Sequence, residues 1–218
     1  MVNYLMHPID LLVQKAMIPF LSYSYSHFFP NFGVGIILLT LLVKIVFYPL
    51  TQKQFQSMKT MQILQPKLKA LQEKHKDQPE QLRSALMKFY KDNNFNPFSG
   101  CLPALVQLPI FFAIFYTVSS PLFLGLLQTP GVNTGFLWLH SLSVADPFYI
   151  LPVAIGILTY LSQKMSVVDP QQAKILMFMP FLMVFICFKM PSGVQVYWAA
   201  SQGLSLAQQY WILRKINS

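Results

Sequence analysis

The run IILLTLLVKIVFYPLT, Ile36 to Thr51, has the apolar content of a membrane span and carries one lysine, Lys44, inside it. A lysine at the centre of a span costs roughly 2.5–3.5 kcal/mol on insertion scales and usually marks a functional path. Two readings are open. In one, Lys44 snorkels: it sits four residues before Tyr48, about 6 Å along a helix, and its stem reaches the headgroups. In the other it faces the interior of a helix bundle, which Thr40, one turn earlier on the same face, favours.

Composition extends the membrane reading to the whole chain. Of 218 residues, 54% are hydrophobic and 11% charged, with mean hydropathy +0.46, whereas a soluble domain carries about 25% charged residues. An all-α integral membrane protein is expected. Charge is also segregated: nine of the sixteen Lys and Arg lie in residues 51–96, against four acidic residues there, while residues 93–145 hold no charge. The two faces of a membrane can therefore be told apart. Cys101 and Cys187 lie in apolar runs with neither metal-ligand nor disulfide spacing and read as small core residues. The first twenty residues lack the basic start, apolar block and cleavage site of a signal peptide, so no removal is expected.

Along the chain, residues 1–31 mix Asp10, Lys15 and His27 with Leu, Ile and Phe between prolines, which suits an amphipathic helix lying in the interface. Residues 32–50 form span 1. Residues 51–96 are polar and helical in period: Met61, Leu64, Leu68 and Leu71 share one face, as do Leu82, Ala85, Leu86 and Phe89. Between these stripes, Asp77 is expected as N-cap, with Pro79 in the first turn and Glu80 reaching back. The segment is a cytoplasmic helical hairpin, kinked at Pro66 and expected to touch the bundle only through its ends.

Residues 97–119 give span 2, and 120–146, rich in Gly, Pro and Asn, an external loop partly seated in the interface. Residues 147–163, 175–189 and 191–213 give spans 3, 4 and 5. With five spans the hairpin, the Lys164–Lys174 region and the tail Arg214-Lys215 share one side. The positive-inside rule then puts the N-terminus outside and the C-terminus in the cytoplasm. The uncharged run between Lys174 and Lys189 is 14 residues, about 21 Å of helix for a ~30 Å core, so the bilayer should thin around it.

Catalysis finds no support. Both glutamates, Glu73 and Glu80, sit in the hairpin; there is no HExxH or GxSxG motif, and Pro191-Ser192-Gly193 has no histidine near it in sequence. No enzyme and no cofactor are expected. The informative residues are polar ones within spans: Thr40, Lys44, Gln107, Gln163, Ser201 and Gln202. They either line a hydrated cavity or make interhelical hydrogen bonds. The basic hairpin is either a solvated face meeting anionic lipid or a docking site for ribosomal RNA or a nascent chain. Met165, Met177, Met179, Met183 and Met190 offer a yielding apolar surface, with gap-filling core as the plainer reading.

Several short runs together resemble the YidC family of membrane protein insertases, whose relatives serve mitochondria and chloroplasts. They are Tyr48-Pro49-Leu50-Thr51, Leu64-Gln65-Pro66-Lys67, Asn96-Pro97, Gly100-Cys101-Leu102-Pro103 and Gln107-Leu108-Pro109-Ile110-Phe111, then Asp146-Pro147-Phe148-Tyr149-Ile150-Leu151-Pro152, Gln163-Lys164-Met165-Ser166, Phe178-Met179-Pro180 and Pro191-Ser192-Gly193.

The resemblance implies five transmembrane helices around a hydrophilic groove, open to cytoplasm and lipid and closed outside, in a bacterial cytoplasmic (inner) membrane. The groove is expected at Lys44, Thr40, Gln163 and Trp198, joined by Gln107 and Gln202 from the residue reading, and the surface along which clients slide at Leu108, Phe111 and Tyr197. Lys44 falls where bacterial members usually carry arginine, so the charge is kept without the planar fork. The large external domain of Gram-negative members is not among these residues. Nascent membrane protein clients are the implied partners, with the ribosome, the Sec translocon and anionic lipids as further candidates; no small-molecule substrate, ATP or metal is implied. A small transporter or channel built on the same polar residues is the alternative, and it would need a path open to both sides.

Overall fold

A computed structural model of the chain describes residues 9–93, 102–166 and 170–215. Among them the secondary structure is helical, apart from one antiparallel bridge between Phe136 and Leu139. A π-helical stretch, Val13–Met17, runs into α1 (Ile18–His27). Then follow α2 (Phe32–Val46), α3 (Tyr48–Lys74), α4 (Pro79–Asp92), α5 (Leu102–Ser119), α6 (Pro121–Leu127), α7 (Ile150–Ser166), α8 (Pro170–Cys187) and α9 (Ser192–Lys215).

Local chemistry sets the ends of α2. Asn31, in extended conformation, accepts from the amides of Gly33 and Val34 at 2.9 and 3.2 Å, as an N-cap should. Its side-chain amide donates to Gly135 O at 2.8 Å, pinning the helix start to the loop after α6. At the other end, Pro49 has no N–H to offer the carbonyl one turn back, so the helix breaks at Phe47 and resumes as α3 after a 66° bend. The straight part of span 1 is therefore 15 residues rather than the expected 19, and Tyr48 opens the next helix.

Helix α9 is the axis of the fold, packing against α2, α5 and α7 and touching α3, while α8 lies on the far side of α7. Gly156 lets α7 and α8 approach closely: a Cβ there would stand 2.4 Å from Val184 Cγ2. The core joins Leu21, Ile36, Ile114, Phe123, Val194 and Tyr197.

The segment expected as a loop, 120–146, carries α6 and contributes Phe123, Leu127, Leu139 and Leu142 to that core. It is held by one buried carboxylate. Asp146 accepts from Trp138 Nε1 at 3.1 Å, Phe148 N at 3.0 Å and Leu151 N at 2.8 Å, which also caps the start of α7. Ser192 N and Gly193 N, at the start of α9, donate back to Val144 O and Leu142 O at 2.6 and 2.9 Å. One end of the bundle is thus closed by its own connecting segment.

Two expectations for the hairpin are corrected. Gln78, not Asp77, occupies the N-cap of α4, with no side-chain cap bond; Pro79 begins the helix and supplies its fixed φ instead. Nor does the hairpin touch the bundle only through its ends. Gln54, Phe55 and Lys59 are buried on α3, and Gln62 Nε2 donates to Met165 O of α7 at 2.5 Å. The two apolar stripes pair more loosely: Leu64 and Leu68 are buried, while Leu82, Ala85, Leu86 and Phe89 are half-buried.

Among the described residues no single helix is long and apolar enough to cross a membrane; the bent pairs α2–α3 and α5–α6, at 66° and 51°, meet that test together. The expected start of span 2, the end of the hairpin and Cys101 lie outside the described residues, whereas Cys187 is buried as expected. A broad apolar surface is exposed, with Ile45 and Phe185 each 73% accessible, far more than a soluble monomer of this size leaves in water.

Candidate functional site

Five polar residues of α9 fall on one stripe: Ser201, Gln202, Ser205, Gln208 and Gln209 follow i, i+1, i+4, i+7 and i+8. Each of the last four reaches across to a neighbouring helix. Gln202 Nε2 donates to Thr159 Oγ1 of α7 at 3.2 Å, and Ser162 Oγ, one turn on, donates to Gln209 Oε1 at 3.2 Å. Gln208 Nε2 donates to Thr51 Oγ1 of α3 at 3.1 Å. Lys44 Nζ donates to Ser205 Oγ at 2.6 Å. The ammonium therefore points from α2 across to α9 and not along its own helix to the headgroups. Every other member of this seam is neutral, so Lys44 is its one charge.

The remaining expected groove residues divide. Thr40 is fully buried, its hydroxyl donating to Ile36 O at 2.7 Å, so it is satisfied within its own helix, one turn from Lys44. Gln163 is half-buried on α7, next to Ser162. Gln107 Nε2 donates to Tyr197 Oη at 2.8 Å, joining α5 to α9 one turn before Ser201. Trp198 is half-buried and meets Phe111 edge to face at 4.9 Å.

Of the expected sliding surface, Leu108 is 50% exposed and Phe111 half-buried, but Tyr197 is only 1% exposed. Tyr197 packs in the core because residues on α9 four apart point the same way, and its neighbours on that face, Gly193 and Ser201, are also buried. Sequence reasoning missed Thr51, Thr159, Ser162, Ser205, Gln208 and Gln209. The stripe on α9 was a usable signal; the partners on α3 and α7 were not, since a lone Ser or Thr in a span is ambiguous.

Comparison with known proteins decides the family. The profile described as 60Kd inner membrane protein matches residues 24–218, nearly the whole bundle. The chain belongs to this family. It is 40% identical to the membrane protein insertase YidC of Nitratidesulfovibrio vulgaris (strain DP4) over 223 residues, covering 98% of this chain and 41% of that protein. It is also 41% identical to the membrane protein insertase YidC of Francisella tularensis subsp. novicida (strain U112) over 186 residues, covering 84% of this chain and 33% of that protein. The chain thus spans less than half the length of the relatives it matches. Among solved structures it resembles the crystal structure of an active YidC insertase with the first transmembrane domain resolved, at TM-score 0.75 and 28% identity, covering 93% of this chain and 46% of that one. In this member of the 60Kd inner membrane protein family, Lys44 and the α9 stripe form a polar seam that joins α2, α3 and α7 to α9.

Proposed function

We propose that the chain spans the inner membrane five times, N-terminus outside and C-terminus in the cytoplasm, and inserts and helps fold nascent membrane proteins along the polar seam between α2, α7 and α9. The observation that carries this is the Lys44–Ser205 contact, which holds an ammonium inside helices whose outer faces are apolar. A cation kept there at a cost of a few kcal/mol makes sense where a polar client segment must be received within the membrane.

The relatives named as YidC insertases support the same reading. A short polar tail of a client enters from the cytoplasmic side, where Lys44, Gln202 and Gln208 exchange their mutual hydrogen bonds for bonds to it. That substitution lowers the desolvation penalty hydrocarbon would impose. The client's apolar segment then leaves past Leu108 and Phe111 into lipid, and its burial drives the step. No small-molecule energy source is needed.

The closed end formed by 136–146 stops the tail from leaking straight through, which is where this reading parts from a channel. The hairpin base, docked through Thr51 and Gln62, receives clients delivered by the ribosome or the Sec translocon, and the basic outer part faces anionic headgroups. The short straight helices thin the bilayer beside the seam, so the tail crosses less hydrocarbon.

The test is reconstitution of the purified chain in liposomes with a small single-span client. Protease-protected client above the level of empty liposomes supports the proposal; no gain over empty liposomes overturns it.

A further inference from the structure

At the end of the bundle away from the hairpin, a cavity of about 380 Å³ lies between the π-helical stretch Val13–Met17 and the junction of α5 with α6. Its volume falls within the range of small-ligand sites, about 300–1,000 Å³. Val13 and Ile18 form its apolar floor, while Asp10, Gln14, Tyr116 and Ser119 bring polar groups to its walls. Asp10 and Gln14 are exposed, so the cavity opens to the surface. π-Helical turns widen a helix locally and recur beside binding sites. This one is fixed in place, because Thr117 Oγ1 lies 3.2 Å from Met17 Sδ and Met17 is buried.

We infer that this cavity is a binding site for the headgroup of an amine-bearing phospholipid, its ammonium on Asp10 and its phosphate on the Tyr116, Ser119 and Gln14 donors. The inference rests on the membrane placement given above. Charge decides between headgroups: the lining holds one carboxylate and no Lys or Arg. An ammonium gains a charge-assisted hydrogen bond there, whereas a purely anionic headgroup meets repulsion. Geometry decides for a lipid over a free amine, since Leu122 lines the cavity and is exposed, and Leu11 and Leu12, next to Asp10 in the chain, are exposed as well, which offers an apolar surface for the acyl chains. A quaternary ammonium, lacking N–H donors, would bind less well. Bound there, the lipid would tie the N-terminal interfacial helix to α5 and α6.

The experiment is native mass spectrometry of the full chain in detergent micelles, titrated with phosphatidylethanolamine, phosphatidylglycerol or phosphatidylcholine of matched chains. The wild-type chain should prefer phosphatidylethanolamine over phosphatidylglycerol by about tenfold, the worth of one hydrogen bond to a charged group. Asp10→Asn should erase that preference, Tyr116→Phe should weaken binding, and Asp77→Asn, in the distant hairpin turn, should change nothing. Equal affinity for the two lipids in the wild type, or a preference that survives Asp10→Asn, overturns the inference. Because no client is involved, a chain that inserts clients yet shows no lipid preference defeats this inference alone, and the converse defeats only the proposed function.

Discussion

Replacing Lys44 by Met separates a groove charge from a structural one. The contact is short, with Nζ 2.6 Å from Ser205 Oγ. Loss of the ammonium leaves that hydroxyl without its donor, at a cost of about 1 kcal/mol. Removing a charge from the bundle returns roughly 2.5–3.5 kcal/mol, and Met keeps an apolar stem of similar length. The variant should therefore fold at least as well as the wild type. Its function should still fall. A client carboxylate about 4 Å from the ammonium, at an effective dielectric near 20, gains about 4 kcal/mol of gross Coulomb energy. After desolvation, a net of about 1.5–3 kcal/mol is usual for a hydrogen bond to a charged group. Occupancy of the seam by an acidic tail should drop about tenfold to a hundredfold. A neutral tail should change little, and Lys44→Arg should insert both. The assay is in-cell insertion of two clients differing only in tail charge, at matched protein levels. Equal insertion of the acidic client by wild type and Lys44→Met would refute the reasoning.

Asp146→Ala removes the acceptor for three N–H donors; thermal denaturation should show a loss of about 3 kcal/mol, and an unchanged melting curve would mean the closed end is held otherwise. Gly156→Ala drives a Cβ against Val184, whereas a Cβ at Gly203 meets nothing within 4 Å; the first should cost about 1–3 kcal/mol by overpacking and Gly203→Ala should be neutral or mildly stabilising by the same measurement. Single cysteines at Gln78 and Asn133, in a background lacking Cys101 and Cys187, should react with impermeant reagents from opposite sides, and same-side labelling would discard the five-span arrangement. Deleting Gln72 to Arg83 leaves the Thr51–Gln208 and Gln62–Met165 bonds in place, so the protein should accumulate normally while client insertion falls; failure to accumulate would make the outer hairpin structural.

The helices were legible in the sequence because hydropathy and period report on each segment alone. Lys44 stood out for the same reason, as a charge no local feature explains. What the sequence left open were the pairings. Thr51 reads as a polar residue two places after a proline, yet the 66° bend turns it onto Gln208; nothing in the run Tyr48-Pro49-Leu50-Thr51 states the bend's direction. Tyr197 was expected on the sliding surface, and its burial follows only from knowing that α9 is surrounded by α2, α5 and α7. Residues 120–146 read by composition as an external loop partly seated in the interface; Phe123 and Leu127 are one turn apart on the short α6, too brief a run to stand out, and Leu139 and Leu142 join the core from irregular chain with no period to reveal it. The hairpin's hold on the bundle was missed because Gln54 and Gln62 are ordinary surface residues by type.

The claim that a client passes through the seam is tested most directly by contact. A photoreactive residue placed at Gln202, inside the seam, should form adducts with a single-span client arrested part-way through insertion. The same residue at Leu137, exposed on the closed end, should form none at that stage. Adducts at Leu137 with none at Gln202 would contradict the account.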